Sequence, residues 1–140
     1  MKYLLDTNVI SELVAGQPNE QVIAWIDGID DQLVYLSVIT IGEIKRGIEK
    51  LPNSRRKRRL NQWLNEALLI RFDDKILSID IPVMVTWGKL IAKLESRGRM
   101  LPAVDSLIAA TALHHGLHLV TRNEEDFDRS DVMVINPWLA

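Results

Sequence analysis

The chain has 140 residues, of which 47% are hydrophobic, and it carries a formal net charge of −2 and no cysteine. This size and apolar content predict one folded domain over residues 1–140 and exclude a disordered chain. The lack of cysteine excludes disulfides, thiolate metal sites and cysteine nucleophiles, and it is typical of a cytoplasmic protein. No apolar run reaches the roughly 18 residues of a transmembrane helix, so we expect no association with a membrane.

Short apolar runs alternate with helical patterns along the chain. Five apolar runs predict strands, at residues 3–5, 33–36, 76–79, 117–120 and 132–135. Patterns of helical period predict helices at residues 8–14, from Asn19 onward, and at 38–51, 54–69, 82–97 and 102–115. No two strands are separated by a two-residue hairpin turn. The alternation therefore predicts an α/β fold with about five parallel strands, flanked by helices on both faces.

Acidic residues follow the predicted strands at the edge where parallel α/β sheets bind their ligands. Asp6 ends the first strand, and Glu43 lies in the first two turns of the helix after the second. Asp105 lies in the first turn of the 102–115 helix, and Asp126 belongs to an acidic group after the fourth strand. A like-charged group of oxygen ligands suits Mg²⁺ or Mn²⁺. We therefore predict a metal site for hydrolysis of a phosphodiester by metal-activated water.

Each acid also has an ordinary structural explanation. Asp6, or one of the two residues after it, could cap the first helix, and residues 40–43 match a capping box. Asp105 in a first turn is favoured by the helix dipole, and the acids around Asp126 could form a solvated turn. Asp105 counts against these explanations because its neighbours in sequence are apolar, where an unpaired carboxylate is costly.

Four segments resemble, in order, the four motifs of PIN domains, and most closely those of the VapC and FitB toxins of bacterial toxin–antitoxin systems. They are residues 5–8 (LDTN), 37–43 (SVITIGE), 103–110 (AVDSLIAA) and 120–127 (VTRNEEDF). The resemblance implies a Rossmann-like PIN domain and a Mg²⁺-dependent endoribonuclease that cleaves tRNA or rRNA. It also implies a homodimer and a VapB- or FitA-like antitoxin that itself binds DNA.

The resemblance also assigns candidate site residues. Asp6, Glu43 and Asp105 match the three core acids of the family, as catalytic residues and metal ligands. The fourth position is either Asp126 or Asn123, because family members differ there. We select Asp126 as the fourth acid and Asn123 as a polar ligand or water-holder. The residues that resemble supporting contacts around the metal are Thr7, Asn8 and Thr40.

Because the net charge is negative, RNA binding would need a local basic patch. The densest run of cations is residues 55–59 (RRKRR), and Arg46 precedes it. One interpretation is an exposed helix face. The other is contact with RNA phosphates beside the acidic group, by Arg46, Arg55, Arg56 and Arg58.

The remaining candidates carry less weight. His114, His115 and His118 could suggest zinc, but Gly116 interrupts their spacing and no cysteine completes a set. Three tryptophans lie on apolar stripes and are predicted to be core or dimer contacts: Trp25, Trp63 and Trp87.

Two other functions fit an α/β chain with an acid after its first strand. A catalytically inactive PIN-like module would bind RNA or a partner protein, and the complete set of core acids argues against it. A phospho-acceptor receiver domain would need paired acids after the first strand, where this chain has Asp6 alone.

Overall fold

The computed structural model describes residues 1–139 and contains one sheet of five parallel strands, in the order β3-β2-β1-β4-β5. The strands are β1 (Tyr3–Leu5), β2 (Val34–Ser37), β3 (Ile76–Leu77), β4 (His118–Val120) and β5 (Val134–Ile135). β1 is central, because Leu4 pairs with Tyr35 of β2 on one side and with Leu119 of β4 on the other. The predicted five-stranded parallel sheet is confirmed. Ala140, the last residue of the predicted domain, lies outside the described residues.

Eight α-helices lie within residues 1–139 and connect these strands. They are α1 (Thr7–Glu12), α2 (Glu20–Gly28), α3 (Val38–Glu49), α4 (Arg55–Trp63), α5 (Leu69–Arg71), α6 (Ile81–Ser96), α7 (Ala103–His115) and α8 (Glu124–Phe127). A 3₁₀ turn, Asp31–Leu33, precedes β2, and a π-helical turn, Leu64–Leu68, joins α4 to α5. In the described part of the chain, no helix is long and apolar enough to span a membrane.

The helices bury the two faces of the sheet separately. Successive strand residues point to opposite faces, so Leu5 packs in one core with Val9 and Ile44, and Leu4 packs in a second core with Leu90 and Ile108. The first core contains residues of α1 to α5 and the second contains residues of α6 to α8. Both faces are therefore covered, as the near-continuous apolar strands require.

Several predicted boundaries were wrong. The helix predicted over residues 54–69 continues to Arg71 and passes through the π-helical turn. β3 and β5 are each two residues long. The chain after β3 leads into the N-cap of α6, where the Asp80 carboxylate accepts the N–H of Val83, and before β5 the Ser130 hydroxyl accepts the N–H of Val132. The acids after β4 are exposed, as expected for a solvated turn, and three of them belong to the short helix α8.

Candidate active site

The four predicted acids converge on the carboxyl edge of the sheet. Asp6 directly follows β1, and α3 carries Glu43 from the end of β2. The N-terminal turn of α7 carries Asp105, and α8 carries Asp126 from the end of β4. The charges of Glu43 and Asp126 act on Asp6, and the charges of the other three acids act on Asp105. Four segments far apart in sequence thus form one acidic group.

Asp6 is the most enclosed of these acids, with 4% of its surface exposed. Its Oδ1 accepts the N–H of Thr7 at 2.8 Å, and its Oδ2 accepts the hydroxyl of Thr121 at 2.8 Å and the amide of Asn8 at 3.4 Å. Burial raises the pKa of Asp6, the bonds from Thr121 and Thr7 lower it, and the nearby acids raise it. Asp6 also caps α1, so the capping explanation and membership of the acidic group both hold.

A chain of hydroxyls holds Glu43. The Thr7 hydroxyl donates to Glu43 Oε1 at 2.5 Å, and Thr7 Oγ1 lies 3.1 Å from Oγ1 of the buried Thr40. The capping-box explanation of residues 40–43 is wrong, because the N-cap of α3 is Ser37, whose hydroxyl accepts the N–H of Ile39. Thr40 is therefore free of a capping role, and its hydroxyl lies next to the one that binds Glu43.

Of the four acids, Asp105 has the most strongly shifted pKa. Burial, followed by the negative charges of Asp6, Asp126 and Glu43, raises the pKa of Asp105 to about 6. Its apolar neighbours differ in burial: Val104 is exposed, and the buried residues of α7 begin with Ser106. The cost of ionising Asp105 thus comes from partial burial combined with like charges.

At the fourth position, the two candidates, Asp126 and Asn123, differ in their contacts. The Asp126 carboxylate is exposed and acts electrostatically on both Asp6 and Asp105. The backbone N–H of Asn123 donates to Thr121 Oγ1 at 3.1 Å, whereas its side chain makes no hydrogen bond within residues 1–139. Asn123 thus helps to fix the Thr121 hydroxyl through its backbone.

Thr121 is a supporting residue that the sequence analysis missed. It is fully buried, donates to Asp6, and accepts the Asn8 amide at 3.2 Å. The Asn8 carbonyl in turn accepts the N–H of Arg122 at 3.3 Å, so Asn8 ties β4 to α1. A hydroxyl residue directly after a buried strand, at the ligand-binding edge, was the signal that could have identified Thr121.

Among the predicted RNA-binding arginines, only Arg56 borders the cleft next to the acidic group. This cleft, of about 370 Å³, runs from Thr7 and Glu43 to Trp63, and we call it the Arg56 cleft. Arg46, Arg55 and Arg58 do not line it, whereas Arg59, which was not selected, lines an adjoining cleft with Arg56. Within the same run, the Lys57 ammonium donates to the carbonyls of residues 49 and 51 at the end of α3.

The histidines lie at the opposite end of α7 from Asp105. Burial, followed by the neighbouring His114, lowers the pKa of His115. His118 begins β4, where its ring lies 6.2 Å from that of Tyr3. Of the tryptophans, Trp25 and Trp63 pack against the core of α1 to α5, and the Trp87 indole donates to the Ser106 hydroxyl at 2.9 Å.

The sequence matches a family model described as PIN domain over residues 3–132. The chain belongs to the PIN-domain family. It is 42% identical over 135 residues to the toxin FitB of Neisseria gonorrhoeae, covering 96% of this chain and 97% of FitB. It is 34% identical to the VapC ribonuclease Y4jK of Sinorhizobium fredii, covering 96% of both chains.

Solved structures of related toxin complexes share this fold. A crystal structure of FitAcB from Neisseria gonorrhoeae matches with a TM-score of 0.95 at 40% identity, covering 99% of each chain. DNA-bound VapBC from Salmonella typhimurium matches with a TM-score of 0.82 at 25% identity, covering 98% of each chain. The predicted family and fold are confirmed.

PIN-domain ribonucleases generally use a divalent metal ion, and the acidic group has the chemistry for one. Within residues 1–139, however, no three acidic or histidine side chains stand in a geometry that could hold a metal ion. The acidic composition of the group and the lack of a ligand geometry are compatible. Both oxygens of Asp6 and one oxygen of Glu43 accept hydrogen bonds from neighbouring residues. Like charges without a cation also repel one another. The four carboxylates thus fit a hard divalent cation as a donor set.

Proposed function

We propose that this PIN domain is the ribonuclease toxin of a toxin–antitoxin pair and hydrolyses RNA phosphodiester bonds with Mg²⁺ or Mn²⁺. The observation that carries the proposal is the convergence of four carboxylates, one of them buried and held by three donors, at the ligand-binding edge of the sheet. The FitB and VapC relatives, named as a toxin and as ribonucleases, support it. Since its RNA substrates are cytoplasmic, we place its activity in the cytoplasm.

In this proposal, Asp6, Glu43, Asp105 and Asp126 hold the metal. A divalent cation bound there lowers the pKa of a bound water and offsets negative charge in the transition state. Neighbouring residues hold the carboxylates in place. Thr121 and Asn8 donate to Oδ2 of Asp6, and Thr7 donates to Oε1 of Glu43. Such outer contacts are typically worth 10- to 100-fold, roughly, in metal affinity or activity.

The proposed RNA contact outside the metal site is Arg56, because the Arg56 cleft begins at Glu43. Its guanidinium makes no ion pair or hydrogen bond with other residues in the described range 1–139. A fixed cation beside the carboxylates counteracts their repulsion of the phosphate backbone. Arg46, Arg55 and Arg58 do not line the Arg56 cleft. In this proposal they contact RNA only outside it.

The decisive experiment incubates the purified chain with a panel of tRNAs and rRNA fragments in Mg²⁺, Mn²⁺ or EDTA. We expect cleavage of at least one RNA that requires the metal and is lost in Asp6→Asn. Asp27→Asn, which changes an exposed acid on α2, is the matched control and should cleave like the wild type. Cleavage that persists in EDTA or in Asp6→Asn would refute the metal-dependent mechanism.

The competing function is an inactive PIN-like module that binds RNA or a protein. The lack of a preformed three-ligand set within residues 1–139 is the observation in its favour. The same panel separates the two functions, because an inactive module binds RNA in either metal and leaves every RNA intact.

We also propose a VapB- or FitA-like antitoxin as partner, with its own DNA-binding part. The support is that the matched FitAB and VapBC structures are toxin–antitoxin complexes, three of them bound to DNA. Expression of the chain alone should arrest growth, and co-expression of a FitA-like antitoxin should relieve the arrest. If Asp6→Asn arrests growth as strongly as the wild type, the arrest does not depend on the acidic group, which would contradict the proposed toxin activity.

A homodimer completes the proposal. Three apolar side chains share one exposed face of the first turns of α6: Ile81, Met84 and Val85. Val38 at the start of α3 and Val104 at the start of α7 are also exposed, and both helices begin at the same edge of the sheet. An apolar surface of this kind is typical of subunit contacts.

A further inference from the structure

A second cleft extends from the acidic group in a different direction from the Arg56 cleft. It consists of two adjoining parts of about 410 and 470 Å³ that share Leu94 and the loop from Arg99 to Pro102. One part is bordered by Asp126 and the rest of α8, and the other by Trp87 and Ile91 of α6. We call the two parts together the Arg99 cleft. Each part lies within the range of roughly 300–1,000 Å³ that small-ligand pockets occupy.

We propose that the Arg99 cleft binds an unpaired nucleotide of the RNA substrate next to the cleaved bond, with its phosphate at Arg99 and its base against Trp87 and Met100. This inference rests on the proposed ribonuclease function and adds a substrate subsite to it. Arg99, Met100 and Trp87 are positioning residues in this proposal, since none of them belongs to the acidic group.

The backbone places Arg99 at the junction of the two parts. Gly98 ends α6 in the left-handed conformation, with φ of 65°, and the N–H of Arg99 returns to the carbonyl of Leu94 at 2.8 Å. This pair of features is the C-terminal cap of a helix ending in glycine. It fixes the backbone of Arg99, whose guanidinium has no ion pair or hydrogen bond within the described chain and lines both parts of the cleft.

The inner part of the cleft offers an apolar platform for a base. The bond from the Trp87 indole to the Ser106 hydroxyl fixes the ring. Met100 lines the same part of the cleft, with 91% of its surface exposed. Single-stranded nucleic acids commonly bind by stacking bases on aromatic side chains beside a cation that holds the phosphate. Trp87 and Arg99 provide these two elements in one cleft.

Charge sets the direction in which the nucleotide lies. The outer part is bordered by Glu124, Glu125, Asp126 and Asp128, against two arginines, Arg99 and Arg129. An excess of carboxylates repels a bare phosphate, so in this proposal only the phosphate of the cleaved bond lies at the outer part. Of the two arginines, only Arg99 lines both parts of the cleft. The next phosphate along the strand therefore lies at Arg99, and the base beyond it reaches the apolar part. A fully paired duplex cannot turn a base into this part.

The test measures binding and cleavage separately. Binding of fluorescent, unpaired ten-nucleotide RNAs is measured by anisotropy in Mg²⁺ across a salt series, with Asp6→Asn as the background that prevents cleavage. Arg99→Ala is expected to weaken binding about tenfold at low salt and to lower the slope of log affinity against log salt by about 0.7. Arg99→Lys should restore that slope.

The apolar part is tested by Met100→Ala and Trp87→Leu. Loss of base stacking should weaken binding by about five- to tenfold with an unchanged salt slope. Because Met100 is almost fully exposed, its replacement leaves the fold intact even if Trp87→Leu unfolds the chain. Duplex RNA of the same length should bind alike to all of these variants.

Arg97→Ala is the matched control, an exposed arginine two residues away that lines neither part of the cleft. In the cleaving background, Arg99→Ala should raise KM with little change in kcat, and Arg97→Ala should match the wild type. If Arg99→Ala and Met100→Ala match Arg97→Ala in binding and KM while the wild type cleaves RNA, the cleft proposal fails and the ribonuclease function stands. If the wild type neither binds nor cleaves any RNA, both fail.

Discussion

At the scale of single residues, the site is a balance between carboxylates that repel one another and donors that hold them. Asp6, Glu43 and Asp105 could be predicted from sequence because each stands near the start of a helix at the ligand-binding edge of a parallel sheet. Thr121 could not be predicted as a site residue from sequence, because a buried hydroxyl after a strand has many possible hydrogen-bond partners. Its bond to Asp6 depends on how β4 lies beside β1.

The raised pKa of Asp105 predicts a conflict between stability and function. An acid whose pKa rises from 3.8 to about 6 on folding destabilises the folded state increasingly as pH rises between these values, and fully above them. Since Asp105 is partly exposed, the penalty is about 1–2 kcal/mol at pH 7.5. Asp105→Asn removes the charge and should raise the metal-free Tm by about 4 °C at pH 7.5, while abolishing cleavage.

The measurement is thermal unfolding in EDTA at pH 4 and pH 7.5, repeated with Mg²⁺ at pH 7.5. The gain from Asp105→Asn should vanish near pH 4, where the wild-type carboxyl is protonated as well. Mg²⁺ should stabilise the wild type more than the variant. An equal gain in Tm at both pH values would assign the effect to packing instead of charge.

Thr121→Val tests the support of Asp6 with a side chain of nearly the same shape. The buried Asp6 carboxylate loses the hydroxyl that donates to it at 2.8 Å, which should cost about 1–3 kcal/mol of unfolding free energy. The Mg²⁺ concentration for half-maximal cleavage should rise about 10-fold or more. Urea unfolding and a Mg²⁺ titration of cleavage measure the two effects.

Thr111→Val is the control for this substitution. Thr111 is also fully buried, but its hydroxyl bonds the carbonyl of Leu107 within α7. It should change stability without changing the Mg²⁺ requirement. An equal rise in the Mg²⁺ requirement in both variants would show that Thr121 acts only through folding.

At the scale of elements, strands and helices could be predicted in kind and order, but their ends could not. Apolar runs identify β3 and β5, but the pairing with β2 and β4 that sets their length cannot be read from the runs themselves. The π-helical turn Leu64–Leu68 has no local sequence signal, since it accommodates packing of Leu64 and Leu68 in the core. Helix α8 was missed because four acidic and aromatic residues are too few for a periodic pattern.

Gly98 offers a test at the same scale. Its φ of 65° lies in the left-handed region, so Gly98→Ala should destabilise the chain by about 1 kcal/mol and loosen the end of α6. Gly88→Ala, inside α6 with open space around its Cα, should instead stabilise it by up to about 1 kcal/mol. Urea unfolding of both variants gives the comparison. Two changes of the same sign would contradict the assignment of Gly98 as a helix cap.

At the scale of the whole molecule, the exposed apolar face of α6 predicts the oligomeric state. Ile81 and Val85 are 80% and 53% exposed and one helical turn apart. Val85→Glu combined with Ile81→Glu should convert a dimer to a monomer by size-exclusion chromatography with light scattering. Ile70→Glu changes a residue that is 66% exposed on α5, and it should remain dimeric. A wild type that is monomeric at high micromolar concentration would exclude the homodimer.

The central position of β1 has a consequence for synthesis of the chain. The partner that completes the Asp6 environment, Thr121, lies 115 residues further along, and β4 must insert beside β1 before the two can meet. A ribosome releases the chain from its N-terminus, so Asp6 and Glu43 emerge long before β4. Contacts this distant in sequence also form slowly. A growing or truncated polypeptide ending before β4 therefore lacks an assembled site, and nuclease activity requires that β4 has been made and has paired with β1.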